Sequence, residues 1–308
     1  MNLTVLFNAM PGAVAQGLIW GIMAIGVYIT YRVLDLADLT VDGSMATGGA
    51  VCVMLMLNGV NVWIALLCAI LAGMLAGLLT GVFHTTMGIP AILAGILTQL
   101  SLYSINLAIM DFKANQGINV TKYALIVSQR NVRATDLSNP IFTVLLILAL
   151  LIGILYWFFG TELGCSLRAT GANEAMSRAQ GINTGKAKIL GLMISNGIVA
   201  LSSALLSHYQ GFVDVNMGRG AIVIGLAAVI ISEVVFGKLF RNFALKLTGV
   251  ALGAVIYYIV IQVVLWLGLN TNLLKLLSAL IVAIFLAVPY WKAHFSTRHA
   301  GKGGGNHA

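Results

Sequence analysis

The chain has 308 residues, 60% of them hydrophobic and 8% charged, with a formal net charge of +8. Soluble domains carry about 25% charged residues, whereas here two thirds of the chain lies in runs without any Asp, Glu, Lys or Arg, the longest from 43 to 110. A spanning helix needs about 20 mostly apolar residues, so this composition excludes a soluble enzyme, a disordered chain and a nucleic-acid-binding domain.

The runs are continuous rather than alternating, which separates them from barrel strands. They predict an all-α polytopic transmembrane helical bundle of about nine spans (eight to ten). The bundle forms a single transmembrane domain over 1–291, followed by a flexible Gly-rich tail at 292–308. The first run, 12–31, has no basic segment before it and should stay as a span rather than be cleaved as a signal peptide. After it come Asp35, Asp38, Thr40, Asp42 and Ser44. Carboxyls this close to a membrane segment are costly unless hydrated or paired. Two readings stay open: a hydrated loop with ordinary helix caps, or the start of a broken helix facing a pathway, capped by Thr40, Asp42 and Ser44. The second span, 44–58, is short enough to be such a half-helix.

The third span, 62–83, places Ala65, Ala69, Gly73, Gly77 and Gly81 at every fourth position. That flat stripe permits close helix approach, and the pairs Gly17/Gly21 and Gly249/Gly253 repeat it. Packing within the bundle is one use of such a stripe and a subunit interface the other. The fourth span, 89–110, contains Asn106. A loop at 111–139 leads to the fifth span, 140–160, and then to the polar loop 161–188.

In that loop Gly171 should break the chain, Asn173 cap a short helix with Glu174 in its first turn, and Gly181 end it. Ala175, Met176 and Ala179 would share one face, with Arg178 pointing elsewhere. Such a helix either docks on a soluble partner or lies at the interface without one. Gly181–Lys186 lacks both the spacing and the following Ser or Thr of a phosphate loop, so the chain itself should not bind ATP. The sixth span, 189–209, holds Asn196. Asn106 and Asn196 are candidates for a pathway or for interhelical hydrogen bonds.

The seventh span, 221–236, is again short. Asp214, Gly218 and Gly220 precede it, as Asp42-Gly43 precedes 44–58. Two such elements entering from opposite sides would form an inverted repeat around a transport site. Glu233 near its end should pair with Lys238 at the interface. Spans at 247–268 and 273–291 follow. The basic loops 161–188 and 237–246 and the tail share a side, which their Lys and Arg content makes cytoplasmic. The N-terminus and the loops 111–139 and 210–220 then face outside. No catalytic or metal-ligating constellation appears, and no cofactor is called for.

The run T-E-L-G-x-x-L-R-A-T-G-x-N-x-x-x-x-R-A-x-G-I at 161–182 resembles the cytoplasmic loop of type II ABC importer permeases, the family of the ribose and branched-chain amino acid permeases. L-A-D-L-T-V-D-G-S at 36–44 and M-G-I-P-A-I-L-A-G-I-L-T at 87–98 are similar to a branch of that family proposed to carry aromatic amino acids. The resemblance implies the permease subunit of an importer in a bacterial plasma membrane, carrying a small hydrophobic or aromatic amino acid. It further implies two copies around a central pathway, an extracytoplasmic binding protein, and two separate ATPase subunits docked on Gly171, Asn173, Glu174, Arg178 and Gly181. Asp38, Thr40, Asp42, Ser44, Asn106 and Asn196 are the pathway candidates. An ion-coupled transporter without an ATPase is the alternative. Against it, no carboxyl is expected clearly at mid-membrane, where coupling ions usually bind.

Overall fold

In a bilayer each backbone group must be satisfied within its own segment, which favours helices. The computed structural model is a bundle of them; it describes residues 3–120, 123, 125–132 and 139–268, with isolated positions between 273 and 287. Helix α1 (Leu3–Tyr28) ends in a π-helical turn, Ile29–Val33. Then follow α2 (Thr40–Leu57), α3 (Val62–Thr85), α4 (Ala91–Ile109), the short strand β1 (Asn115–Gly117), α5 (Pro140–Gly160), α6 (Glu162–Ala172) and α7 (Glu174–Ala179). The chain continues with α8 (Thr184–Gln210), β2 (Phe212–Asp214), α9 (Ala221–Phe236) and α10 (Phe243–Trp266). Among the described residues seven helices are long and apolar enough to span; α9, with 16 residues, is shorter. The span expected at 273–291, apart from isolated positions, and the tail at 292–308 lie outside the described residues.

Helix α8 sits at the centre, against α1, α2 and α3. Its small polar residues do the joining. Ser202 Oγ donates to the Ile19 carbonyl at 2.7 Å, Ser195 Oγ to Gly26 at 2.8 Å, and Ser203 Oγ to Met45. A second lone pair on a helical carbonyl is the partner available to a hydroxyl deep among apolar helices. The stripe of α3 lies on the same helix: a Cβ at Gly73 or Gly77 would overlap the Asn196 or Leu192 carbonyl, and one at Gly81 would lie 3.0 Å from Ile189 Cα. On the far side of α1, a Cβ at Gly17 would lie 2.7 Å from Val255 Cα and one at Gly21 3.0 Å from Ala251 Cα, both on α10. Gly253 meets Ala228 of α9. All three stripes are therefore used for packing within the chain.

The two ends of the bundle differ. At one end α6 packs on the π-helical turn that holds Arg32, α7 packs on α6 and α8, and Arg168 of α6 lines a cleft with Arg241. At the other, β1 and β2 pair antiparallel, with Gln116 opposite Val213. Glu233 bonds Arg32 at 2.9 Å rather than Lys238, because the π-helical turn of α1 brings Arg32 beside the end of α9. Gly77→Leu should therefore cost about 1–3 kcal/mol or more through backbone overlap, read as a lower thermal midpoint in detergent. Gly153→Leu should leave the midpoint unchanged, since a Cβ at Gly153 would meet nothing within 4 Å.

Candidate functional site

The segment between α1 and α2 does not stay at the bundle's end. Leu34 packs on Gly191 and Leu167, while Asp38, four residues on, reaches Asn196. Asn196 is five positions beyond Gly191 on α8, a climb of about 7.5 Å at 1.5 Å per residue. Leu39 lies against Gly95 and Gly43 against Gln99 and Leu102, the middle of α4. Asp38 and the start of α2 thus lie inside the bundle, which removes the hydrated-loop reading. It also removes the premise that no carboxyl sits near mid-depth.

Asp38 is 3% exposed. Its Oδ1 accepts from the Thr40 amide at 2.9 Å, closing the first turn of α2, and its Oδ2 accepts from Asn196 Nδ2 at 2.7 Å. Ser44 Oγ donates to Asn196 Oδ1 at 2.5 Å. Thr40 Oγ1 is hydrogen-bonded to Thr80 Oγ1 at 2.6 Å, and Thr80 donates to Thr98 at 2.9 Å. One polar network therefore joins α2, α3, α4 and α8 around Asp38. Thr80 and Thr98 belong to it although their sequence carries no signal beyond a hydroxyl in an apolar run.

Asp42 points the other way. Its Oδ2 accepts from the Gly220 amide at 2.9 Å and its Oδ1 from Ile222 at 3.0 Å. These are first-turn amides of α9, which has no side-chain cap of its own. Two helices thus begin facing one another inside the bundle, and Asp42 of the first caps the second. Asn106 touches this junction through Nδ2 to the Gly43 carbonyl at 3.5 Å, and its Oδ1 has no partner among the described residues.

Beside the junction lies a cavity of about 450 Å³ lined by Gln16, Arg219, Tyr257, Tyr258 and Gln262. None of the six pathway candidates lines it. Arg219 is exposed, with its guanidinium carbon 5.8 Å from the Tyr103 ring centroid. Sequence reasoning passed over it, although it is the one charge between Asp214 and Glu233.

At the α6–α7 end the caps form as expected. Asn173 Oδ1 accepts from the Met176 amide at 3.0 Å. Gly181 has φ +80°, with its amide bonded to Arg178 and that of Ile182 to Ser177, a Schellman closure. Gly171 does not break the chain: α6 runs through it to Ala172. Glycine is needed there because a Cβ would overlap the Val33 carbonyl. Glu174 bonds Lys188 at 2.8 Å and Arg178 at 2.6 Å. These bonds, Lys188 first, hold its carboxyl down at about 2 from an ordinary 4.5. Met176 is 51% exposed, and Ala175 and Ala179 are exposed with it.

Asp42→Ala should cost about 1–2 kcal/mol as a lost cap and speed hydrogen exchange at the Gly220 and Ile222 amides. Because Glu174 is depressed, its contribution is full above about pH 4.5 and is lost as pH falls through about 2. A carbon-13 titration of Glu174 should have its midpoint near 2 and move up toward 4.5 in Lys188→Ala.

Residues 10–288 match the family described as branched-chain amino acid transport system / permease component. A tyrosine transport system permease protein of Clostridioides difficile is 40% identical over 272 residues, covering 88% of each chain. An uncharacterized protein of Rickettsia prowazekii is 34% identical, covering 91% of this chain and 97% of its own. In fold, the chain is similar to one in the structure of PsaBC from Streptococcus pneumoniae in complex with Fab, with a TM-score of 0.53, 16% identity, and coverage of 93% and 95%. Family membership sets aside an ion-coupled transporter working alone and assigns ATP hydrolysis to a separate subunit. The chain belongs to the branched-chain amino acid transport system / permease component family and is a multi-span membrane permease of an ABC importer.

Proposed function

We propose that two copies of this chain form the pathway of an importer for an aromatic amino acid in a bacterial plasma membrane. The substrate class is favoured by the tyrosine permease relative. The α6–α7 end is cytoplasmic because it carries the basic loops. The N-terminus and the β1–β2 ribbon then face outside, where a substrate-binding protein delivers its load. Two ATPase subunits dock on the exposed face of Ala175, Met176 and Ala179, with Asn173 and Gly181 fixing the helix ends and the Glu174–Arg178 pair its surface.

One observation carries the mechanical part. Gly171 of α6 touches the backbone of Val33 and Leu34, and that strand leads directly to Asp38 and the start of α2. An ATPase that pushes α7 moves α6, and α6 has no side chain at Gly171 to cushion the Val33–Leu34 backbone. The push arrives at Asp38, Thr40, Ser44 and Asn196, whose hydrogen bonds hold the inward junction. Asp42 and Asn106 act at the same junction, on the side of α9 and α4. Opening the pathway means separating the starts of α2 and α9.

Met176→Arg should abolish co-purification of the ATPase with the full chain. Gly171→Val should leave the ATPase bound and hydrolysing while uptake of labelled L-tyrosine falls at least about tenfold, the effect of about 1.4 kcal/mol. Uptake that survives ATP depletion, or an ATPase that binds Met176→Arg as tightly as the wild type, would overturn this reading.

A further inference from the structure

Arg219 poses a problem of placement. It lies between Gly218, which packs on the Asp42 carbonyl, and Gly220, whose amide bonds Asp42. Its guanidinium sits over Tyr103 of α4. Helix α4 has 19 residues, about 28 Å at 1.5 Å per residue, close to the thickness of the hydrocarbon core. Gly218 and Gly220 both contact Asp42, whose neighbour Gly43 packs on Gln99 and Leu102 beside that helix's midpoint, so the backbone at Arg219 lies near mid-depth. Among the described residues Arg219 forms no ion pair, and Asp42 is committed to the amides of α9. An exposed, unpaired guanidinium at that depth cannot face lipid; charged side chains at mid-membrane face water-filled cavities or partners.

Polar groups also lead to it from one end. A second cavity, of about 360 Å³, is lined by Asn8, Gln16, Arg130, Tyr209 and Gln262, and shares Gln16 and Gln262 with the cavity of Arg219. The two cavities thus follow one another from the end bearing Arg130 toward the start of α9. At their foot lie Arg219, the first turn of α9, and Tyr257 and Tyr258. A guanidinium favours a carboxylate, and aromatic walls favour an apolar or aromatic side chain; the amides of α9 are already taken by Asp42.

We propose that the translocation pathway runs along this face, not through the buried acidic network, and that Arg219 is the mid-membrane anchor for the carboxylate of an amino acid. The pathway follows from the placement of the cation alone; the amino acid rests on the importer function proposed above.

The test uses the full chain in membrane vesicles, with Cys68→Ala and Cys165→Ala and the buried Cys52 retained. A charged, membrane-impermeant thiol reagent is applied to Arg219→Cys and, as a lipid-facing control, to Leu71→Cys on the exposed face of α3. Arg219→Cys should react at least about tenfold faster, since thiols react as hydrated thiolates. An equal rate overturns the proposal. A second reporter, Val223→Cys, lines the same cavity and keeps Arg219. L-tyrosine should slow its labelling, tyramine (the same ring without the carboxyl) should not, and Arg219→Gln should abolish the difference. Equal protection by L-tyrosine and tyramine, or protection that survives Arg219→Gln, overturns the anchor. Protection by L-leucine but not L-tyrosine supports the anchor and overturns only the aromatic substrate class.

Discussion

Gly220 and Ile222 begin a helix in the interior of a bundle built for a bilayer, where no water stands ready to accept their N–H groups. The first amides of any helix lack partners within it, and in hydrocarbon each unsatisfied group costs several kcal/mol. The carboxyl of Asp42 meets two of them. Asp42 is itself in the first turn of α2, another helix that begins inside the bundle, and that start is closed by Asp38 on the Thr40 amide. Asp38 is in turn held by Asn196 of the central helix. The order of dependence therefore runs from α8 to Asp38, to α2, to Asp42 and to α9. Every other contact at the junction presupposes it.

This arrangement is both stable and divisible. A helix that crosses the bundle unbroken can only tilt or slide. Two helices that meet end to end can part, and the bonds that must break are few and local. The backbone contact between Gly171 and Val33 is a short link from a solvent-facing helix to that junction. Small residues recur where helices must be close, as in Gly77 on Leu192, while hydroxyls recur where two helices must stay in register, as in Ser195 and Ser202 on α1. The bundle is therefore stiff around α8 and jointed at the starts of α2 and α9.

What could be read from the sequence was what is decided locally. Asn173 and Gly181 act on amides within a few residues of themselves, so their roles were legible. The stripes of small residues announced close approach, although not which helix would approach. Gly171 looked like a breaker because glycine often is one; its real constraint is a carbonyl from another helix, which no spacing reveals. Asp38 and Asp42 were recognisable as expensive carboxyls, but the depth to which 34–39 climbs depends on Gly95 and Gly191 giving it room. Lys238 was the near partner for Glu233 in sequence, and Arg32 the near one in space. Arg219 was hidden by its position in a turn, where a basic residue is ordinary; its meaning comes from the depth of that turn.

The charges at mid-depth are divided by sign, and that division is what favours the Arg219 face as the proposed route for solute. Both carboxyls turn inward and spend their oxygens on helix starts and on Asn196, so neither has a free face to offer a passing molecule. Arg219 is exposed, lines a cavity with glutamines and tyrosines around it, and lays its guanidinium over Tyr103. A pathway through the acidic network would have to dismantle the caps of two helices to admit anything. A pathway past Arg219 leaves those caps in place until the starts of α2 and α9 part. Because Arg219 sits between the two glycines that lean on Asp42, parting them would move the anchor as well. On the proposed route, release of the solute and opening of the junction are one motion.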